Sequence, residues 1–226
     1  GDLDVEVSAL GFGAMRLPII DDDSAQIDEE EAIKMIRHGI DNGINYVDTA
    51  WPYHQGESEK VVGRSLKDGY RAKTYLATKL PIWECEEEED LDKIFNKQLE
   101  KLQVEKIDFY LLHALDERHW QTVKDLDIIE WAEKKKEEGK IEYLGFSFHD
   151  SNQLFNTILD SHDWDFCQIQ YNYLDTEYQA GKAGLQKAYE KGIGVVIMEP
   201  IRGGWLAQEA PKAAKELFES ENAERT

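Results

Sequence analysis

The sequence predicts an α/β fold of the (β/α)8 TIM-barrel type, and three observations predict it. Short apolar runs alternate with helix-period stretches along the 226 residues, with no long linker between them. Glycines at Gly43, Gly69, Gly139 and Gly192 close helix-period stretches, and each is followed within a few residues by the next apolar run. Polar residues recur at the C-terminal ends of those runs, where a closed parallel barrel gathers strand ends into one mouth.

The strand candidates are residues 9–12, 44–47, 74–77, 107–112, 141–146, 166–170 and 194–198. The first leads into Gly11-Phe12-Gly13-Ala14-Met15-Arg16, which lacks the third glycine of a dinucleotide-binding fingerprint and runs on to Pro18 instead of into a helix. A Rossmann domain is therefore disfavoured. Helix-period stretches are expected to begin near Asp28, Glu57, Thr122, Ser151 and Gly181. Another carries Leu91, Ile94, Phe95, Leu99 and Leu102 on one face with charges around the rest. After Leu206 the chain offers a polar, helix-prone stretch over residues 211–221 with no apolar run behind it. The expectation is one barrel domain over residues 1–226 that lacks the eighth strand and the C-terminal helices.

Charge narrows the choice of partners. With 47 acidic against 26 basic residues the formal charge is -21, which repels nucleic-acid phosphates and anionic membrane surfaces, so neither is expected as a partner. The acidic runs at residues 21–23 and 84–90 read as solvated faces. No apolar stretch approaches the roughly 18 residues of a membrane helix and no leader is recognisable, which gives a cytoplasmic expectation. Cys85 and Cys167 form no C-x-x-C motif, so no metal site is expected, and Cys167 reads as a core residue. His38, His119 and His162 read as solvent-facing.

The segment with most chemical content is Asp48-Thr49-Ala50-Trp51-Pro52-Tyr53-His54-Gln55-Gly56-Glu57-Ser58-Glu59, which follows the second strand candidate. The strand delivers Asp48 to its C-terminal end, and the Pro-containing loop presents Tyr53 above it. This segment resembles the aldo-keto reductases, and Gly145-Phe146-Ser147-Phe148-His149 with Met198-Glu199-Pro200-Ile201-Arg202-Gly203-Gly204 resemble a microbial branch of that family whose members can carry a C-terminal ferredoxin-like extension. The resemblance extends through Ala77-Thr78-Lys79 and Tyr110-Leu111-Leu112-His113. It implies a catalytic set of Asp48, Tyr53, Lys79 and His113, an NADP(H) cofactor with NAD(H) also allowed, and a small-molecule carbonyl substrate.

Reducing a carbonyl needs a hydride, which only a cofactor supplies, and a proton from an acid within about 3 Å of the oxygen. Tyr53 is the candidate acid. The Lys79 ammonium would stabilise its phenolate and lower its pKa, Asp48 would pair with Lys79, and His113 would orient the carbonyl.

Ser147 and Gln168 match the family's partners for the nicotinamide carboxamide. Phe148 stands where an Asn usually follows the Ser, and Met198 stands where an aromatic usually stacks on the ring. Gly13, Met15, Arg16 and Asp48 are expected along the cofactor groove, as are Met198, Pro200, Arg202 and Gly203, with the Arg202 guanidinium suited to a pyrophosphate. Trp51, Trp83, Trp120 and Phe148 are expected as an apolar wall for substrate. An iron-sulfur cluster is expected only in a C-terminal extension, because these residues supply no cysteine cluster.

Two alternatives stand beside the reductase. A nicotinamide-binding barrel acting as a sensor or regulatory subunit would keep the site with slow or no turnover. A metal-dependent barrel hydrolase would want a ligand set such as H-x-H at the strand mouths, and none is visible.

Overall fold

A computed structural model describes residues 1–209 and 211–221. Its strands are β1 (Phe12–Gly13), β2 (Ile19–Ile20), β3 (Asp23–Ile27), β4 (Tyr46–Asp48), β5 (Tyr75–Leu80), β6 (Ile107–Leu115), β7 (Ile141–Phe148), β8 (Phe166–Gln170) and β9 (Gly194–Met198). The helices are α1 (Glu29–Asp41), α2 (Ser58–Ser65), α3 (Glu88–Leu102), α4 (Glu117–Asp125), α5 (Ile128–Glu137), α6 (Asn152–Asp160), α7 (Gly181–Glu190), α8 (Trp205–Gln208) and α9 (Lys212–Glu221). Seven strands form one parallel sheet in the order β1-β4-β5-β6-β7-β8-β9. This is the succession of the first seven strands of a (β/α)8 barrel, and among the described residues no eighth strand pairs with it.

Strand alternation explains why the polar residues converge. Tyr46, Ala77, Phe109, Leu111 and Phe166 fill the barrel interior, with Leu3, Val5, Tyr75, Tyr143 and Val196 packed on them. Their strand neighbours Val47, Leu76, Tyr110, Leu144, Phe146, Cys167 and Ile169 lie in the larger core under the helices. With a period of two, the interior face of the strands from β4 to β9 carries Asp48, Lys79, His113, Ser147, Gln168 and Met198 toward the C-terminal rim. Gly145 makes room within this interior, because a Cβ there would come within 2.5 Å of the Phe166 carbonyl oxygen.

Helix starts follow local chemistry. Asp28, Asp116 and Ser151 accept hydrogen bonds from the backbone N–H groups of Glu31, His119 and Leu154 and cap α1, α4 and α6. Glu87 and Asp90, read from sequence as part of a solvated acidic run, form a reciprocal capping box at α3. Gly43, Gly139 and Gly192 close α1, α5 and α7 at φ 98°, 70° and 73°, whereas Gly69, at 88°, lies beyond the end of α2 and starts the 3-10 turn Tyr70–Lys73.

Several boundaries differ from the sequence reading. The first strand is only Phe12–Gly13, at the sheet edge. The helix expected near Thr122 begins earlier, at Glu117, because Asp116 supplies the cap, and Asp127 at φ 47° separates it from α5. The acidic residues Asp21 and Asp22, at φ 52° and 56°, form the two-residue turn of the β2–β3 hairpin, since Ile20 pairs with Asp23. Two consecutive left-handed residues match the twist of a tight hairpin, a geometry that Asn-Gly signals far more clearly than Asp-Asp. Burial pushes the Cys167 thiol up to about 12, in keeping with a core residue.

Candidate active site

The segment after β4 turns at Tyr53–Gly56, a short 3-10 turn that sets the Tyr53 ring over the strand ends. Three of the four expected residues meet at one nitrogen. Lys79 Nζ donates to Asp48 Oδ1 at 2.6 Å, to the Thr49 carbonyl at 2.9 Å and to Tyr53 Oη at 3.4 Å. Lys79 is 1% exposed. The His113 ring stands edge-on to Tyr53, with centroids 6.1 Å apart.

Electrostatics sets the protonation states. Burial works against the Lys79 charge, but Asp48 and Tyr53 outweigh it and hold its pKa above the ordinary lysine value. Burial raises the Tyr53 phenol above its ordinary 10, and the nearby Lys79 charge only partly offsets this. The sequence reading expected a lowered value, whereas the structure makes desolvation the larger effect. Burial also drives His113 well below 6.5, with the Lys79 charge acting in the same direction, so the ring is neutral at neutral pH. Its Nδ1 is buried without a protein partner.

A bulge aims His113. Pairing between β6 and β7 shifts register between Leu112 and Leu115, Ala114 takes φ 52°, and its N–H donates to Ser147 Oγ at 2.7 Å. Ser147 is thus already an acceptor for the protein, and its own hydroxyl proton is left to donate elsewhere. Gln168, opposite Ser147 in the β7–β8 register, donates from Nε2 to Asp48 Oδ2 at 3.2 Å.

The expected cofactor residues divide. Gly13 pairs with Asp48 across β1 and β4, and a Cβ there would meet nothing within 4 Å, which leaves open space beside the carboxylate. Met198 ends β9 opposite Gln170, whose buried Oε1 has no partner. Met15 and Pro200 are exposed. The Arg16 guanidinium lies over Gly203, 3.3 Å from where a Cβ would stand, and brings the β1 end against the segment after β9. Arg202 departs from expectation. Its guanidinium is held in a bidentate pair by Asp175, with Nε to Oδ2 at 2.7 Å, and does not stand free for a phosphate.

The expected apolar wall reduces to one residue. Phe148 is fully buried among Phe146 and Phe155, on the helix-facing side of β7, and Trp120 is in the same core. Trp51 carries the Lys101 ammonium over its ring at 3.7 Å. Trp83 stays 39% exposed and lies between His113 and His119, with centroids at 5.1 and 5.8 Å. His119 is therefore not solvent-facing; its Nδ1 also meets the Ala114 carbonyl at 2.8 Å, and His162 is tied to Glu133.

Sequence reading missed Glu59. It is fully buried, accepts from Thr78 and Gln98 at 2.8 Å each, and pairs with Lys101 at 3.2 Å. Gln98 also donates to the Lys79 carbonyl at 2.9 Å and accepts from Tyr110 at 2.7 Å. The available signal was Gln98 itself, a polar residue three positions beyond Phe95 on the apolar stripe of α3.

The fold is shared with known proteins. The profile of the Aldo/keto reductase family matches residues 9–225. A soybean (Glycine max) protein named "Probable aldo-keto reductase 1" is 30% identical over 209 residues, which are 89% of this chain and 58% of the relative. The chain thus spans less than two thirds of that relative's length. The holo structure of aldo-keto reductase AKR11C1 from Bacillus halodurans superimposes with a TM-score of 0.75 at 27% identity, over 100% of this chain and 76% of that one. An aldo/keto reductase from Klebsiella pneumoniae, solved with NADP and acetate, gives 0.72 at 25% identity over 96% of this chain and 72% of that one. With a profile match over most of its length and a seven-strand succession that places the motif residues on one rim, the chain belongs to the aldo/keto reductase family.

Proposed function

We propose that the protein reduces an aldehyde or ketone with NADPH and that Tyr53 is the general acid. The single observation that carries this reading is the buried Lys79 ammonium, held by Asp48 and within 3.4 Å of the Tyr53 hydroxyl. Raised by burial, the phenol keeps its proton at neutral pH and has one to give. As the proton leaves, the charge developing on Oη meets the Lys79 ammonium, so the interaction strengthens toward the transition state. Neutral His113 can donate a hydrogen bond to the carbonyl oxygen and fix its orientation.

The inward rim residues suit a nicotinamide. Ser147 has a hydroxyl proton to donate, and the buried Gln170 oxygen lacks a donor. Ser147 and Gln168 would hold the carboxamide, and Met198 would cover the ring. When bound, the dihydronicotinamide supplies the hydride to the carbonyl carbon. NADPH is the cofactor proposed because the Klebsiella pneumoniae relative was solved with NADP. The site does not favour the alternative of a sensor with slow turnover, since a neutral phenol, an ammonium and a neutral imidazole are together.

The test is Tyr53→Phe. We expect carbonyl-dependent NADPH oxidation to fall by about 10²–10⁴-fold, the usual contribution of a general acid, while NADPH binding measured by fluorescence is unchanged. A purified Tyr53→Phe protein that turns over at the wild-type rate would remove the assignment.

A further inference from the structure

His54 follows the proposed acid directly, yet the chemistry above gives it no role. It is 9% exposed, and both ring nitrogens are used. The Leu17 N–H donates to Nε2 at 3.0 Å, and Nδ1 meets the Ser24 carbonyl at 2.8 Å. A carbonyl only accepts, so Nδ1 carries the hydrogen; an N–H only donates, so Nε2 is bare. The two contacts together define one neutral tautomer. The ring therefore bridges β3 to the residue that follows Arg16.

The backbone beneath that ring is unusual. His54 and the next residue, Gln55, sit at φ 53° and 54°, conformations uncommon without glycine and kept only where their surroundings hold them. Gln55 makes its own contact, from Nε2 to Ser24 Oγ at 2.9 Å. At the other end of the same loop, Ser58 Oγ donates to the Ala14 carbonyl at 2.9 Å and is within 2.8 Å of Thr49 Oγ1. The 3-10 turn Ala14–Arg16 is thus fastened on both sides to the loop that carries Tyr53, at Ala14 by Ser58 and at Leu17 by His54.

We propose that His54 is a positioning residue: its neutral imidazole holds Tyr53 and the Arg16 turn as one rigid unit at the mouth. The inference rests on the reading of Tyr53 as the acid. Without the ring, the two adjacent non-glycine residues in the left-handed region keep only the Gln55–Ser24 contact and the backbone bond from Glu57 to the His54 carbonyl, and the Tyr53 hydroxyl loses its fixed place against Lys79. A misplacement of about 1 Å at a reacting group can cost on the order of 10²-fold in rate.

Two variants separate hydrogen bonding from bulk. His54→Leu fills the space without hydrogen bonds, and His54→Gln restores an oxygen able to accept from the Leu17 N–H. Two readouts are taken on each purified protein: amide hydrogen exchange at Leu17, and turnover of an aldehyde with NADPH. In His54→Leu we expect Leu17 protection to fall by about tenfold or more, because its acceptor is gone. Turnover should fall on the order of 10²-fold with thermal melting still cooperative. His54→Gln should recover most of both. Wild-type turnover in His54→Leu would overturn the proposal, as would a Gln variant as slow as the Leu variant. Should the wild-type protein itself reduce no carbonyl, the functional reading falls and exchange alone decides the clasp: unchanged Leu17 protection in His54→Leu overturns it, and loss rescued by Gln upholds it.

Discussion

Replacing Lys79 by Met removes the one charge that ties the proposed acid to its carboxylate while nearly keeping the side-chain volume. Three hydrogen bonds disappear, at 2.6 Å to Asp48, 2.9 Å to the Thr49 carbonyl and 3.4 Å to Tyr53. The Asp48 carboxylate, with a side chain only 13% exposed, is left with Gln168. Breaking one half of a buried ion pair costs about 3–5 kcal/mol. At roughly 2–4 °C per kcal/mol for a chain of this size, the melting temperature should fall by roughly 6–20 °C.

The catalytic effect has a definite sign. In the folded protein Lys79 acts to lower the Tyr53 pKa against the larger effect of burial, so its removal pushes that pKa further up. The phenol stays protonated but becomes a weaker acid, and phenolate forming in the transition state meets no ammonium. Carbonyl reduction should slow by about 10²–10⁴-fold, with KM for the carbonyl changed little. Alcohol oxidation, which needs the phenolate, should have its pH profile displaced to higher pH. The assays are steady-state kinetics in both directions over a pH series, with a thermal melt on the same preparation. A variant that loses only carbonyl affinity, with kcat and the pH profile intact, would refute the argument and make Lys79 a binding residue.

Stability should fall on the acid side. The folded-state pKa of His113 lies well below 6.5 because the ring is buried, so its contribution is present above about pH 6.5 and is lost as pH drops through that value toward the folded pKa. His149 is lowered too, first by burial, and adds to the same slope. Urea melts at successive pH values should lose up to about 1.4 kcal/mol per pH unit per group, and His113→Gln should flatten the slope; an unchanged slope would show that His113 is not the group responsible. Glu59→Leu alone should cost about 3–5 kcal/mol in chemical denaturation by stranding Lys101, whose side chain is 10% exposed. Adding Lys101→Met should recover much of that loss, and a double variant as unstable as the single would mean that the cost lies in the Thr78 and Gln98 bonds instead.

Sequence alone determined the strand succession and the rim, because both follow from local periodicity. Apolar runs separated by capped, glycine-closed helices leave a parallel barrel sheet as the packing that buries them, and a period of two then fixes which strand-end residues face inward. Asp48, Lys79, His113, Ser147 and Gln168 were legible for that reason, and β8 and β9 fall where the pattern put them. What distance and solvent exclusion govern was decided only by the tertiary structure. The Tyr53 pKa turned on a balance between desolvation and the Lys79 charge, and no spacing in the chain encodes how much water the fold removes. Arg202 read as a phosphate ligand until folding placed Asp175 against it from another loop. Phe148 and Trp120 read as mouth residues until the pleat turned one under the helices and α4 buried the other. His54 and Glu59 were hidden for a related reason: each meets its partners only after segments distant in sequence have been brought together, His54 at Leu17 and Ser24, Glu59 at Gln98 and Lys101.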